Sequence, residues 1–249
     1  MKTGRSIHTQ TVETIAGWII NGRFSVGENL PIEPAICAEL GVSRTVVREA
    51  IKTLVAKGLV STGPRIGTKV LPQSCWNLFD ARVIEWRLEC GVDAAFVKDL
   101  MELRLAIEPA AARLAARREP ASERGLVRDL YRRMEQAAAS QTFREDHMEA
   151  DLAFHVGILR ATGNQFFLSL VPLISSVLRV SFRLSTGSLE AVEQALPVHR
   201  AVAEAIAAGD GDRAARHLTQ MIEHAREEIE AVAFPRPAVL PASSPDMPT

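Results

Sequence analysis

The chain has 249 residues, of which 47% are hydrophobic, and it carries 29 Lys and Arg against 30 Asp and Glu. That length and apolar content allow a buried core in two domains, and no apolar run reaches the roughly 18 residues of a membrane span. The amino terminus lacks the apolar core of a signal peptide, and Cys37, Cys75 and Cys90 lack the spacing of a disulfide framework or a thiolate zinc site. These features exclude a membrane protein and predict a cytoplasmic one.

The first predicted elements form a helix-turn-helix. A helix over residues 9–21 keeps its apolar side chains on one face, and a short helix follows over residues 33–40. After a turn at Gly41, Ser43 is in the position to cap a second helix. The segment 59–70 then alternates around a Gly-Pro turn, which predicts a two-stranded hairpin. Together these elements predict a winged helix-turn-helix.

The helix that Ser43 opens has a cationic outer face. Its apolar residues follow three-four spacing, and cations near its amino terminus oppose the helix dipole, so the arrangement favours an external anion such as phosphate. A plain αα-hairpin has the same geometry, but residues 1–72 also hold nine Lys and Arg against five Asp and Glu. We therefore predict contacts to double-stranded operator DNA from the helix and the wing: Ser43, Arg44, Thr45, Arg48, Lys52, Arg65 and Gly67.

Beyond a linker at residues 71–77, every predicted element is helical. Asn77 or Asp80 caps a helix that ends at Arg87, and the next helices are predicted at 93–118, 120–138 (with Leu126 and Met134 inward), 142–161, 164–185, 188–208 and 210–232. The predicted fold class is therefore mainly α: an N-terminal winged helix-turn-helix followed by an all-α helical bundle that can host a ligand between its helices. The predicted domains are a DNA-binding domain (1–71), an effector-binding and dimerisation domain (76–233) and a disordered Pro- and Ser-rich tail (234–249).

The helical half contains one cluster of metal-ligand residue types. Asp151 and His155 have the spacing by which one helix offers a carboxylate and an imidazole to the same cation, and His199 lies in an apolar context two helices later. An ordinary ion pair and a core histidine bonded to a carbonyl are the alternatives, and the residues alone leave both open. A metal-dependent hydrolase or isomerase that uses these three residues and a metal sensor are the alternative functions, although nothing in the sequence supplies a nucleophile or general base beside them.

Both halves resemble one family of regulators. The LP-x-E start, the G-V-S-R-x-x-V-R-E-A helix and the G-T-x-V wing end resemble the GntR superfamily, and the segments Glu102–Ala116, Asp151–His155 and His199–Ile206 resemble its FCD effector domain. The resemblance implies a dimeric, DNA-binding transcriptional regulator whose helical domain senses a small carboxylate. It also implies a divalent metal (zinc, nickel or manganese) held by one aspartate and three histidines.

This chain departs from the implied ligand set at one position. Asp151, His155 and His199 match the first three ligands, but Met221 stands where the family has its fourth, and a thioether is a poor ligand for such a cation. Three outcomes stay open: a three-ligand site completed by effector and water, substitution by His217 or His224, or no metal at all.

The segment Trp76–Asp80 and the methionine variant resemble the galactonate-operon repressor branch. That resemblance implies repression and a sugar acid such as galactonate as the effector. A hydroxylated anion needs a cation for its carboxylate, and we assign this role first to Arg104 and second to Arg179 with Ser175. Glu108, one turn beyond Arg104, is the alternative partner that would neutralise it. The residues Asp151, His155 and His199 can bond the effector's hydroxyls with or without a metal.

Overall fold

The computed structural model describes residues 6–64, 66–118, 121–139, 143–184 and 189–234. Within these ranges it contains eleven α-helices, two strands and the 3-10 helix Gln73–Cys75. The first helices and the strands are α1 (Ile7–Ile20), α2 (Glu33–Leu40), α3 (Arg44–Ala56), β1 (Val60–Gly63), β2 (Gly67–Val70) and α4 (Ala81–Glu89). The others are α5 (Ala94–Ala116), α6 (Ala121–Ala138), α7 (Phe143–Ala161), α8 (Gln165–Ser169), α9 (Val171–Leu184), α10 (Leu189–Ala207) and α11 (Gly211–Ala233). The mainly α fold class with a winged helix-turn-helix is confirmed.

Local chemistry fixes the helix-turn-helix. Gly41 ends α2 with φ 66°, a left-handed conformation that glycine adopts without steric cost, and the backbone N–H of Val46 donates to Ser43 Oγ at 3.4 Å to cap α3. Gly58 follows α3 with φ 76°, and a Cβ there would lie 2.1 Å from the carbonyl oxygen of Cys75. The chain can therefore leave α3 in this direction only with glycine at that position.

One apolar core holds the amino-terminal elements together. It consists of buried residues from α1 to α4 and the strands, among them Val12, Ile15, Ile36, Val47, Leu54, Leu59, Val70, Trp76, Val83 and Trp86. The indole Nε1 of Trp76 also donates to the carbonyl of Leu71 at 3.2 Å. The helix α4, which the sequence assigns to the helical half, thus packs with the winged helix-turn-helix, and the domain boundary at residues 71–76 stays a prediction.

The described residues cluster into two compact units, with divisions after Phe96, Gly163 and Val180. In the unit that holds residues 97–163 and 181–234, α6 packs against α7 and α10, and α10 packs against α11. A Cβ on Gly157 would lie 2.1 Å from Leu130 Cδ1, so this glycine lets α7 approach α6 closely. Arg113 of α5 donates to Asp212 of α11 at 2.7 Å.

Two sequence predictions about helices are wrong. The helix predicted over residues 164–185 is interrupted at Leu170, and Pro172 lies in the first turn of α9, where its missing N–H costs no helical hydrogen bond. Leu126, predicted to face inward, is 61% exposed, whereas Val127 and Met134 of the same helix are buried.

Some predictions lie outside the described residues. These are the wing contact by Arg65, the helix break at Gly187 and the disordered tail beyond residue 234. Within the described ranges, no helix has both the length and the apolarity needed to cross a membrane.

Candidate DNA interface and metal site

The predicted DNA contacts of α3 lie on its exposed face. Arg44 and Thr45 are exposed in the first turn. Arg48, 65% exposed, donates from Nε to a carboxylate oxygen of Glu33 at 2.9 Å, and Lys52 donates to Glu49 at 2.8 Å. Exposed ion pairs contribute little stability, so these cations can exchange their carboxylates for phosphate or base acceptors. In the wing, Gly67 is exposed with φ 81°.

The three predicted metal ligands meet in the helical unit. Asp151 and His155 come from α7 and His199 from α10, and each offers an atom within 4.8 Å of the other two. Asp151 Oδ1 lies 3.1 Å from His199 Nε2 and 3.7 Å from His155 Nε2. Both histidine side chains are at most 5% exposed, and that of Asp151 is 20% exposed. The i and i+4 spacing on α7 and the position of His199 on α10 therefore bring these three side chains together.

The other ring nitrogens determine what this cluster can bind. His199 Nδ1 lies 2.9 Å from the carbonyl oxygen of Ala195, and His155 Nδ1 contacts the carboxylate of Glu108. Both partners only accept hydrogen bonds, so both Nδ1 atoms carry hydrogen. In neutral imidazoles the two Nε2 lone pairs then point at a carboxylate oxygen, which is repulsive unless a second proton or a cation lies between them. The residues present therefore fit a divalent cation.

Packing holds the two imidazoles in place. The buried ring of Phe154 makes edge contacts with His155 at 5.8 Å and with His199 at 5.3 Å between centroids. The two imidazoles are themselves 5.8 Å apart and nearly perpendicular. These ring contacts and the contacts at the two Nδ1 atoms restrain the orientation of both imidazoles.

Glu108 joins this cluster to Arg104. Both side chains are buried, and Arg104 Nε donates to Glu108 Oε1 at 2.7 Å while Nη1 lies 3.4 Å from Ser181 Oγ. Burial by itself raises the pKa of Glu108, but Arg104 and His155 outweigh it and lower that pKa to about 2. The ion pair between Arg104 and Glu108, which the sequence leaves open as an alternative, is thus present. A guanidinium has five N–H donors, so Arg104 retains donors for a further acceptor.

Asp151 is likewise held as a carboxylate. Burial raises its pKa, and the opposing effects of His155 and His199 are larger, so the pKa lies well below its ordinary value. A carboxylate that stays ionised is the form that a cation needs as a ligand.

One buried histidine near the cluster is missed by the sequence analysis. His147 is 4% exposed and stands one helical turn before Asp151 on α7. Its Nδ1 has no hydrogen-bond partner among the residues that the structure describes, and its ring centroid lies 6.4 Å from that of Phe182. Burial lowers the pKa of His147 below its ordinary value. The charge of Asp151 opposes this effect, and that of His199 adds to it. The i−4 spacing from Asp151 is the signal that points to it.

The second-choice effector residues belong to α9, and the histidines considered as substitute ligands belong to α11. Ser175 donates its hydroxyl to the carbonyl of Val171 at 2.7 Å, and it belongs with Arg179 to the segment 164–180, which clusters with the other unit. Met221 is buried on α11. His217 and His224, on the same helix, contribute no atom to the three-residue group.

Comparison with known proteins identifies both halves of the chain. The family model of the bacterial regulatory proteins of the gntR family matches residues 8–70, and that of the FCD domain matches residues 99–224. The galactonate operon transcriptional repressor of Escherichia coli K12 is 32% identical over 222 residues, 89% of this chain and 96% of that protein. The uncharacterized HTH-type transcriptional regulator YieP of the same strain is 36% identical over 203 residues, 81% of this chain and 86% of that protein.

A solved structure supports the fold. Lar, which controls the expression of the Listeria monocytogenes agr system, is 21% identical to this chain and superposes with a TM-score of 0.66. The match covers 93% of this chain and 100% of Lar. These domains and relatives are transcriptional regulators and not enzymes. The chain belongs to the GntR family of bacterial transcriptional regulators and carries an FCD effector-binding domain.

Proposed function

We propose that this regulator represses a catabolic operon and leaves its operator when a small carboxylate, a sugar acid such as galactonate, binds in the helical domain. In this proposal residues 1–71 bind the operator and residues 76–233 bind the effector and form a two-fold dimer. The observation that carries the effector site is the convergence of His155 Nε2 and His199 Nε2 on Asp151 Oδ1. The 32% identity to the galactonate operon repressor supports the class of effector.

The site suits a hydroxylated anion. Asp151, His155 and His199 would hold one divalent cation (zinc, nickel or manganese), which supplies positive charge for a carboxylate or hydroxyl oxygen. Arg104 lies behind this cluster, because Glu108 bonds both to it and to His155. Its remaining N–H groups are the donors that we assign to the effector carboxylate. Three ligands leave coordination positions for effector and water, which is consistent with methionine at position 221.

The DNA-binding face suits a dimer. One winged helix presents a single short recognition helix, and two of them on paired half-sites multiply affinity without new contacts. The exposed hydroxyls and cations at Ser43, Arg44, Thr45, Arg48 and Lys52 on α3, with the wing residues Arg65 and Gly67, are the groups that we assign to DNA. Sedimentation of the full chain at micromolar concentration should give a dimer, and a monomer would contradict this part of the proposal.

Operator release tests the function directly. A DNA site selected by the purified protein from random or genomic fragments is labelled, and its fluorescence anisotropy is followed as galactonate, other sugar acids and short hydroxy acids are added. We expect one of these acids to release the DNA in wild type and to lose that effect in Arg104→Ala, with DNA affinity unchanged. Arg132→Ala on α6 is the matched control, since that arginine is 64% exposed and pairs only with its own helix neighbour Asp129 in the described contacts.

The role of the metal is separated by chelation. Treatment with EDTA before the acid is added should weaken release in part, and zinc or manganese should restore it. Release by zinc or manganese alone would make the cation the effector and the protein a metal sensor. Release by none of the acids would overturn the assignment of a carboxylate effector.

A further inference from the structure

His147 carries an unmet hydrogen-bonding group in the effector domain. It is 96% shielded from solvent, and Nδ1 has no partner among the described residues. A buried polar nitrogen without a partner costs about 1–3 kcal/mol, so a chain that needed only packing here would be more stable with an apolar side chain. The retention of a histidine in this environment points to a partner that comes from outside the chain.

The position of His147 connects it to the proposed site. It precedes Asp151 by one turn and His155 by two turns on α7, so the three side chains share a face of that helix. It is close enough to Asp151 and His199 for their charges to alter its pKa. Its ring also contacts Phe182, whose neighbour in sequence, Ser181, lies 3.4 Å from Arg104 Nη1. His147 thus lies near Asp151 and His199 on one side, and it contacts Phe182, the residue after the one that faces Arg104.

His147 does not complete the metal site. The three ligand residues offer atoms that lie within 4.8 Å of one another, and His147 is not part of that group. A ligand that contacts both the cluster and His147 must therefore present more than one oxygen, as a polyhydroxylated carboxylate does.

We propose that His147 is a binding residue for the organic effector, with Nδ1 hydrogen-bonded to an oxygen of the bound acid and not to the metal. The inference rests on the proposed function, because it assigns a further contact to the same site. The ligand class is a hydroxylated carboxylate. His147 favours acids that carry a further oxygen, separate from the oxygens that bind the metal. Acids that lack this further oxygen bind without this contact.

Two substitutions separate recognition from packing. In His147→Leu the ring is replaced by an apolar side chain of similar bulk, and in His147→Asn an amide group stands close to the position of Nδ1. Gln136→Leu, on the exposed surface of α6, is the matched control. Each full-length variant is titrated by calorimetry first with zinc or manganese alone and then, in the metal-loaded form, with galactonate, other sugar acids and lactate.

We expect His147→Leu to weaken the best-bound acid about tenfold or more, the factor that follows from one lost hydrogen bond, while metal affinity stays within about twofold of wild type. His147→Asn should recover most of the acid affinity. Without ligand, His147→Leu should melt at a higher temperature than wild type, because it removes the unpartnered nitrogen. A histidine that only stabilised the fold would give the opposite shift.

The remaining outcomes overturn the inference in distinguishable ways. Equal acid affinity in wild type and His147→Leu would remove His147 from the site and leave the proposed function standing. A parallel loss of metal affinity would make His147 a metal ligand. If no acid binds to the wild-type protein, the proposed function fails and the role of His147 fails with it.

Discussion

The Nε2 atom of His199 lies 3.1 Å from Oδ1 of Asp151, across the gap between α10 and α7. His199 Nδ1 already donates its hydrogen to the carbonyl oxygen of Ala195, so the contact at Nε2 needs either a second proton on the ring or a cation. A residue at the centre of a cation site cannot be replaced by its neutral amide without loss of charge. The contact therefore makes Asp151 the first residue to test.

We expect Asp151→Asn to weaken zinc or manganese binding by more than the roughly 10–100-fold that loss of an outer-shell partner causes. Competition against a chromophoric chelator measures this affinity. Asp129→Asn, an exposed aspartate on α6, is the control and should bind metal as wild type does. Unchanged metal affinity in Asp151→Asn would show that the cluster is an ion pair only.

Glu108→Gln tests the contact behind the site. The glutamate fixes the hydrogen of His155 on Nδ1, so its amide should lower metal affinity by roughly 10–100-fold although residue 108 touches no metal. Removal of one partner of a buried ion pair also costs about 3–5 kcal/mol of stability, here because Arg104 loses its carboxylate. Glu102→Gln, an exposed glutamate on the same helix, is the control. An effect on stability without an effect on metal affinity would limit Glu108 to a structural role.

The pKa of Glu108 predicts how stability depends on pH. It falls from an ordinary 4.5 to about 2 in the folded chain, so the unfolded chain takes up the proton first as the solution becomes acidic. The contribution of this group, roughly 3 kcal/mol, is complete above about pH 4.5 and is lost as the pH falls toward 2. Denaturant unfolding of metal-free protein between pH 7 and 3 should show a steeper acid loss in wild type than in Glu108→Gln. Parallel curves would contradict the shift.

Sequence predicted most of the fold because its signals are local. Gly41 and Ser43 mark the turn between α2 and α3, and both the position and the order of these elements follow from them. The break at Leu170 does have a local signal: Pro172 would lie inside a continuous helix over residues 164–185, where its missing N–H costs a backbone hydrogen bond, and it costs none in the first turn of a new helix. A repeated spacing of four residues predicts that Leu126 faces inward, but this spacing drifts around a helix of 3.6 residues per turn, and Leu126 is exposed.

The candidate site was predictable only in part. The spacing of Asp151 and His155 brings them together on one helix, and the apolar residues around His199 indicate that it faces inward. Whether Glu108 meets His155 depends on how α5 packs against α7, which no local pattern contains. His147 shows the same limit, since an unpartnered nitrogen is recognised only when its neighbours are known.

The exposed face of α3 gives a prediction for DNA binding. Arg44→Ala and Arg48→Ala should each weaken operator binding by about 1–3 kcal/mol if they read bases, and should reduce the dependence on salt if they contact phosphates. Arg48 must first leave Glu33, so Glu33→Gln should strengthen non-specific DNA binding at low salt. Band shifts at fixed salt measure both effects, with circular dichroism as the check on folding. Wild-type affinity in both arginine variants would remove α3 from the interface.

Met221→His tests whether the site of this chain differs from the ligand set of its family by one residue. Met221 is buried on α11, which packs against the helix that carries His199. If residue 221 faces the cluster, an imidazole there supplies a fourth nitrogen ligand, and zinc should bind at least about tenfold more tightly, because imidazole suits this cation and a thioether does not. The same change fills a coordination position, so acid binding to the zinc-loaded variant should weaken as metal affinity rises. Gln136→His adds an exposed histidine to α6, a helix that has no other histidine, and should change neither quantity. Tighter zinc binding in Gln136→His to the same extent would show that the gain comes from the surface, and no gain in Met221→His would show that residue 221 does not reach the metal.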